Sequence, residues 1–171
     1  IEFLDSYIFI ILKDTNYINN ELCINQISII IGSDFIITLQ ETAENIFKDV
    51  KNRLEKNAVF QKRDVSYLGY TIMDLIVDTE FKTLYHIGEI IEKLESQLLN
   101  DPNPSITGEI HRLKSDILTF RSLIRPLRNL ISLLEKEESD IIQDNLKIYI
   151  RDLNDHVIKL SEITEIYRET I

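Results

Sequence analysis

Residues 144–171 read DNLKIYIRDLNDHVIKLSEITEIYRETI, and along them Leu146, Ile150, Leu153, Val157, Leu160, Thr164, Tyr167 and Ile171 recur at alternating steps of four and three. That spacing lines the side chains up as one seam, the pattern of a helix packed lengthwise against others. A finished helix carries Gly or Asn just past its last turn, or Pro soon beyond. The sequence stops instead on Tyr167-Arg168-Glu169-Thr170-Ile171, so the expectation is a helix cut short and a chain that is a piece of a longer one.

Working upstream, residues 64–99 hold Leu68, Ile72, Leu75, Ile76, Leu84, Ile87, Ile91, Leu94 and Leu98 at helical spacing, with no Pro among them. Asn100-Asp101-Pro102-Asn103-Pro104 interrupts this run, and Asn103 ahead of Pro104 reads as an N-cap followed by a first-turn proline. The return helix is expected from Pro104 to about Leu134, antiparallel to the first as a hairpin, with a kink at Pro126. Glu135 to Asp140 is an acidic connection to the last helix. Nearer the start, Thr42 is expected to cap a short helix that buries Ile46, Phe47, Val50 and Leu54.

Three stretches ahead of that helix are rich in β-branched and aromatic residues: Phe3–Leu12, Leu22–Ile31 and Phe35–Gln40. Turn chemistry at Asn16–Glu21 and at Gly32-Ser33-Asp34 makes them an antiparallel meander. The end of the first stretch does not alternate, as in a strand buried on both faces. The meander begins abruptly at residue 1, which suggests that the first half of a domain lies upstream. The expected fold class is α+β: a small, largely antiparallel β-sheet with a flanking helix, followed by three long helices. Residues 1–60 would be the C-terminal part of an α/β subdomain, and residues 61–171 a long-helix subdomain with its hairpin at 64–134 and its last helix at 144–171.

The 171 residues are 44% hydrophobic, enough to bury a core, and carry a net charge of −10. Phosphate backbones need clustered Lys and Arg, which such a surface would assemble against its own field, so nucleic acid is not an expected partner. Cations suit it better. The single Cys23 can form no internal disulfide and fits a reducing compartment; as a strand residue it is expected to be inert core. No signal peptide is expected from Ile1–Asp5, which lack a basic flank ahead of an apolar run, and among the residues present no uncharged apolar run reaches the ~18 residues a membrane helix requires. An enzyme is not expected: the three His all fall on long helices, and the four Gly form neither a phosphate-cradling loop nor a nucleophile elbow.

Tyr67-Leu68-Gly69-Tyr70 leads at helical spacing to Asp74 and then Val77-Asp78. Leu113-Lys114 leads to Arg121, Pro126, Leu127 and Arg128, and Arg151-Asp152 leads to Asp155-His156. These clusters, in this order on three successive long helices behind a β meander, resemble the cytoplasmic domain of the CorA family of divalent-cation channels. The opening residues 1–10 and the segment from Gln26 to Gln40-Glu41 look like the same family's strands.

The resemblance implies that the last helix is a stalk leading into a first membrane span, on the cytoplasmic face of the cell membrane. The pore and its Gly-Met-Asn loop would follow beyond Ile171. It further implies a homopentamer whose stalk seam bundles around one axis, closed by regulatory Mg2+ bound between neighbouring subunits. Asp152 matches the principal ligand, with a partner carboxylate upstream of residue 1, and Asp74 matches a ligand of a second site. His156, one turn from Asp152, would admit a softer ion, Zn2+ or Co2+, and a zinc-transporting relative shares the architecture.

Blander readings exist for the same residues. Asp152 and Asp155 could be a solvated helix face, Asp74 and Asp78 surface residues or partners of Lys82, and Tyr67 and Tyr70 packing residues. Arg121, Arg125 and Arg128 would pair with the surrounding acidic excess. The alternative for the whole chain is a free-standing helical protein whose seam binds a partner helix, with no ion involved.

Overall fold

The structure, a computed structural model, describes residues 1–42, 46–56, 64–100, 104–138 and 141–171, apart from the side chains of residues 49 and 53. Strands β1 (Glu2–Phe3), β2 (Tyr7–Ile18), β3 (Glu21–Gly32) and β4 (Ile36–Gln40) pair antiparallel in sequence order. The first expected strand thus divides, because the chain turns where Leu4 N–H donates to Tyr7 O at 3.0 Å. The second difference is that β2 runs through the anticipated turn, pairing Asn16, Tyr17 and Ile18 with Cys23, Leu22 and Glu21. The reversal narrows to Asn19-Asn20, at φ 53° and 63°. Two successive left-handed residues suit the twist of a two-residue hairpin, and Asn tolerates that region. Gly32 sits where the Phe35 ring folds back over the backbone, leaving no room for a side chain.

Ile8, Ile10 and Leu12 of β2 stand opposite Ile31, Ile29 and Ile27 of β3, and all six are buried. The other face of the sheet carries exposed Ile11, Ile37 and Leu39. Over Phe9–Leu12 burial on both faces is therefore not met among the described residues, since Ile10 and Leu12 are buried and Ile11 is exposed; only further along β2 are consecutive residues, Asp14 and Thr15, both buried.

Helix α1 spans Lys48–Lys56 and begins beyond Thr42, whose carbonyl accepts from Gln40 Nε2 rather than opening the helix. Helix α2 spans Val65–Asn100 and is capped by Asp64, whose Oδ1 accepts from Tyr67 N–H at 2.8 Å and Ser66 Oγ at 2.7 Å. Helix α3 spans Pro104–Lys136, starting on its proline and continuing through Pro126. The expected cap Asn103 and the end of the acidic connection at Asp140 lie outside the described residues. A single 3-10 turn, Asp144–Leu146, then leads into α4, Lys147–Thr170.

The hairpin closes around α4. Helix α3 packs most broadly on α4, which also lies on α2, while the direct contact of α2 with α3 is narrower. Ile150, Leu153, Val157 and Leu160 of the seam are each 0% exposed, and Leu146 and Thr164 are buried with them. One cluster of buried side chains runs from Ile10 and Ile29 in the sheet through Ile76 and Leu84 in α2 and Ile117 and Phe120 in α3 to this seam. Each such Leu, Ile or Val contributes ~1.5–3 kcal/mol through burial. Gly69 lets α2 approach β3, since a Cβ there would lie 2.6 Å from Ile31 Cδ1.

Candidate functional site

Tyr67, Tyr70 and Asp74 share one face of α2 at steps of three and four, and Tyr149 and Asp152 are one turn apart on α4. The three rings form a closed cluster: centroids lie 5.7 Å apart for Tyr67 and Tyr70, and 5.3 Å apart for Tyr149 with each of them. The tyrosines are thus packing residues, and their packing brings two helices into register. Burial raises the pKa of the Tyr70 hydroxyl, and the carboxylates of Asp74 and Asp152 raise it further. Both acidic residues singled out from the sequence therefore lie within electrostatic reach of one phenol. The sequence reading gave them separate sites; the fold brings them to one patch.

The patch has an outer and an inner member. Asp152 is exposed on the free face of α4, whereas Asp74 is half-buried beside the tyrosines. The Tyr70 hydroxyl, whose pKa both carboxylates help to raise, stays protonated. All donors here are oxygens, a set that suits a hard, strongly hydrated cation. Among the described residues no group of three or more His, Cys, Asp or Glu converges, so an ion bound here would find at most one or two carboxylates of this patch. Mg2+ fits such a share because it keeps most of its water.

For the softer-ion reading the surroundings of His156 matter. The His156 ring packs edge-on against Phe81, with centroids 6.3 Å apart and planes at 84°. Asp78 and Asp155 are exposed, and no ion pair joins Asp78 to Lys82 among the described residues. Cys23 is half-buried near the hairpin rather than in the core, because the turn at Asn19-Asn20 places it close to the open end of the β2–β3 ribbon.

Two buried carboxylates, Asp14 and Glu80, escaped the sequence reading, and Glu80 is the better defined. Glu80, 1% exposed, accepts from Thr15 N–H at 2.9 Å and from Thr15 Oγ1 at 2.5 Å, while Thr83 Oγ1 donates to Thr15 O at 2.8 Å. Burial pushes its pKa up to about 8; the Thr15 hydrogen bonds pull it down and the charge of Asp14 adds to the rise. Its signal was present: Ile76, Glu80, Thr83, Leu84 and Ile87 share one helical face, which places Glu80 inside an apolar stripe. Nearby, Tyr17 donates to Asp116 Oδ2 at 2.5 Å and ties β2 to α3.

Burial of the seam within one chain has two consequences. From Leu146 to Thr164 the seam is already covered by its own chain, so a partner helix would find only half-buried Tyr167 and Ile171 along it. Bundling of stalk helices around an axis likewise needs another face. Helix α4 offers one in Ile148, Asp152, Asp155, Lys159, Glu162 and Ile166, all exposed at steps of three and four.

A mixed α+β chain of four antiparallel strands followed by long helices, with an acidic patch on the last of them, is the class this geometry defines. Residues 1–171 match from end to end the family described as CorA-like Mg2+ transporter protein, and the chain belongs to that family. It is 31% identical over 174 residues to the cobalt/magnesium transport protein CorA of Thermotoga maritima, covering 100% of this chain and 50% of that one. The soluble domain of CorA from Methanocaldococcus jannaschii has the same fold, with a TM-score of 0.86, 17% identity, and coverage of 99% of this chain and 68% of that one. The ZntB cytoplasmic domain from Vibrio parahaemolyticus is also similar, with a TM-score of 0.80, 16% identity, and coverage of 99% and 66%. The chain spans about half the length of the curated relatives it matches. Among the described residues no helix is long and apolar enough to cross a membrane.

Proposed function

We propose that this chain is the cytoplasmic regulatory domain of a CorA-like Mg2+ channel, in which Mg2+ held at Asp152 and Asp74 between neighbouring subunits keeps the channel closed. The observation that supports the reading is that carboxylates from both α2 and α4, Asp74 and Asp152, act electrostatically on one phenol, Tyr70, beside the tyrosine cluster that joins the two helices, with Asp152 on the exposed face of α4. Mg2+ asks for one or two carboxylates per site, often from different chains, with water completing the shell. Occupied, the ion neutralises carboxylates that face each other across a subunit boundary. Emptied, it leaves them repelling, and the subunits move apart. The assembly is the homopentamer that the family resemblance implies, attached to the membrane through segments beyond Ile171. Cobalt, named for the Thermotoga relative, is the second ion to test.

Light scattering on this chain, with and without millimolar Mg2+, tests the reading. The expected result is a rise in mass with Mg2+ that Asp152→Ala abolishes. An equal rise in that variant would remove Asp152 from the interface.

A further inference from the structure

Arg121, Arg125 and Arg128 follow each other on α3 at steps of four and three, so their guanidinium groups share one face. They line a cleft of about 150 Å³ whose opposite wall is Ser161, Thr164 and Glu165 of α4. In a chain with 29 acidic and 19 basic side chains, all three would be expected to find carboxylates. Arg121 does, pairing through Nε with Glu165 Oε1, and Arg168 lies as an ion pair 2.8 Å from Glu165 Oε2 through Nε and 3.5 Å from Glu169 Oε1 through Nη2. Arg125 and Arg128 do not: both are exposed, and neither has an ion pair or hydrogen bond among the described residues.

Arg121 and Arg168 are thus matched by Glu165 and Glu169, whereas Arg125 and Arg128 have no such partner among the described residues, and the cleft keeps a positive surplus in an acidic molecule. The donors left over are two planar forks, which match the oxygens of a tetrahedral oxyanion, and the Ser161 hydroxyl. Thr164 cannot add a donor, since its hydroxyl is committed to Leu160 O at 2.7 Å. The volume holds one small anion. A long polyanion would meet the surrounding negative field, which argues against nucleic acid as the occupant.

We infer that this α3–α4 cleft binds a phosphate-class oxyanion, free or as a phosphate ester, through Arg125, Arg128 and Ser161. The site is separate from the Asp74–Asp152 patch and does not depend on the role proposed for it. The test follows thermal unfolding and phosphorus NMR while the protein is titrated with inorganic phosphate, with ATP free of Mg2+, and with chloride at matched ionic strength. Saturable binding of phosphate or ATP is expected, absent with chloride and weakened about tenfold or more in the double variant Arg125→Gln, Arg128→Gln. Lys114→Gln, which removes another exposed charge from α3 outside the cleft, should leave affinity unchanged. Replacing both arginines by Lys keeps the charge and loses the forks, and should give intermediate affinity. Binding of both ligands would mean that the phosphate group itself is read, and binding of ATP alone would mean an ester. Wild-type affinity in the Gln double variant, or an equal response to chloride, would overturn the inference. Both arginines are exposed, so circular dichroism should show an intact fold in every variant.

Discussion

Glu80 and Asp152 are both carboxylates on long helices, and their surroundings give them opposite characters. Glu80 is enclosed between β2 and α2 and holds its proton up to about pH 8. The unfolded chain releases that proton near the ordinary glutamate value of about 4.3. Between the two values the folded state binds more protons, so this group's contribution to stability is full at low pH and is lost as pH rises toward 8. Above that the dependence levels off, because both states are ionised. Glu80→Gln should flatten stability across this window, and chemical denaturation at pH 5, 6, 7 and 8 would read it; an unchanged pH slope would contradict the assignment. Asp152 faces solvent and is free to meet an ion or another chain. The sequence pattern made Asp152 conspicuous through Arg151 and Asp155. Glu80 was hidden because a single acid inside an apolar stripe is noticed only once the stripe is known to be buried.

At the scale of elements, the seam of α4 was legible because side-chain period reports a face directly, and Leu146 to Thr164 are buried as that period requires. What covers the face was not legible. Spacing is the same whether the neighbour is α2 and α3 of the same chain or a helix of another subunit. Here the neighbours are α2 and α3, so Leu153→Ala should destabilise the single chain by about 2–5 kcal/mol, measured by thermal or denaturant unfolding. A loss confined to oligomer mass, with unfolding of the monomer unchanged, would contradict this packing. The β2–β3 turn was drawn too wide for a related reason. Asn16, Asn19 and Asn20 all have turn chemistry, and only the left-handed pair Asn19-Asn20 uses it, because Asn16 is held in the ladder opposite Cys23. The division of the first strand at Leu4 rests on one backbone hydrogen bond, which residue type does not announce.

For the whole molecule, the order of parts was readable: a meander, a short helix, then three long helices. Their mutual arrangement was less so, since α4 lies on both arms of the hairpin. The same arrangement brings α4 beside the first turns of α2, where Tyr67 and Tyr70 meet Tyr149. That contact brings Asp74 and Asp152, which are 78 positions apart in sequence, within electrostatic reach of the same phenol. No local pattern could have paired them. Shared use of one ion is the central claim, and it has a specific signature in a double-mutant cycle. The most direct measurement is inhibition by Mg2+ in the full-length channel carrying Asp74→Asn, Asp152→Asn or both. One shared ion predicts that each single substitution raises the inhibitory Mg2+ concentration, by about tenfold for Asp152→Asn, and that the double variant is no worse than the more severe single. Inhibition unchanged in the singles, or shifts that simply add in the double, would contradict it.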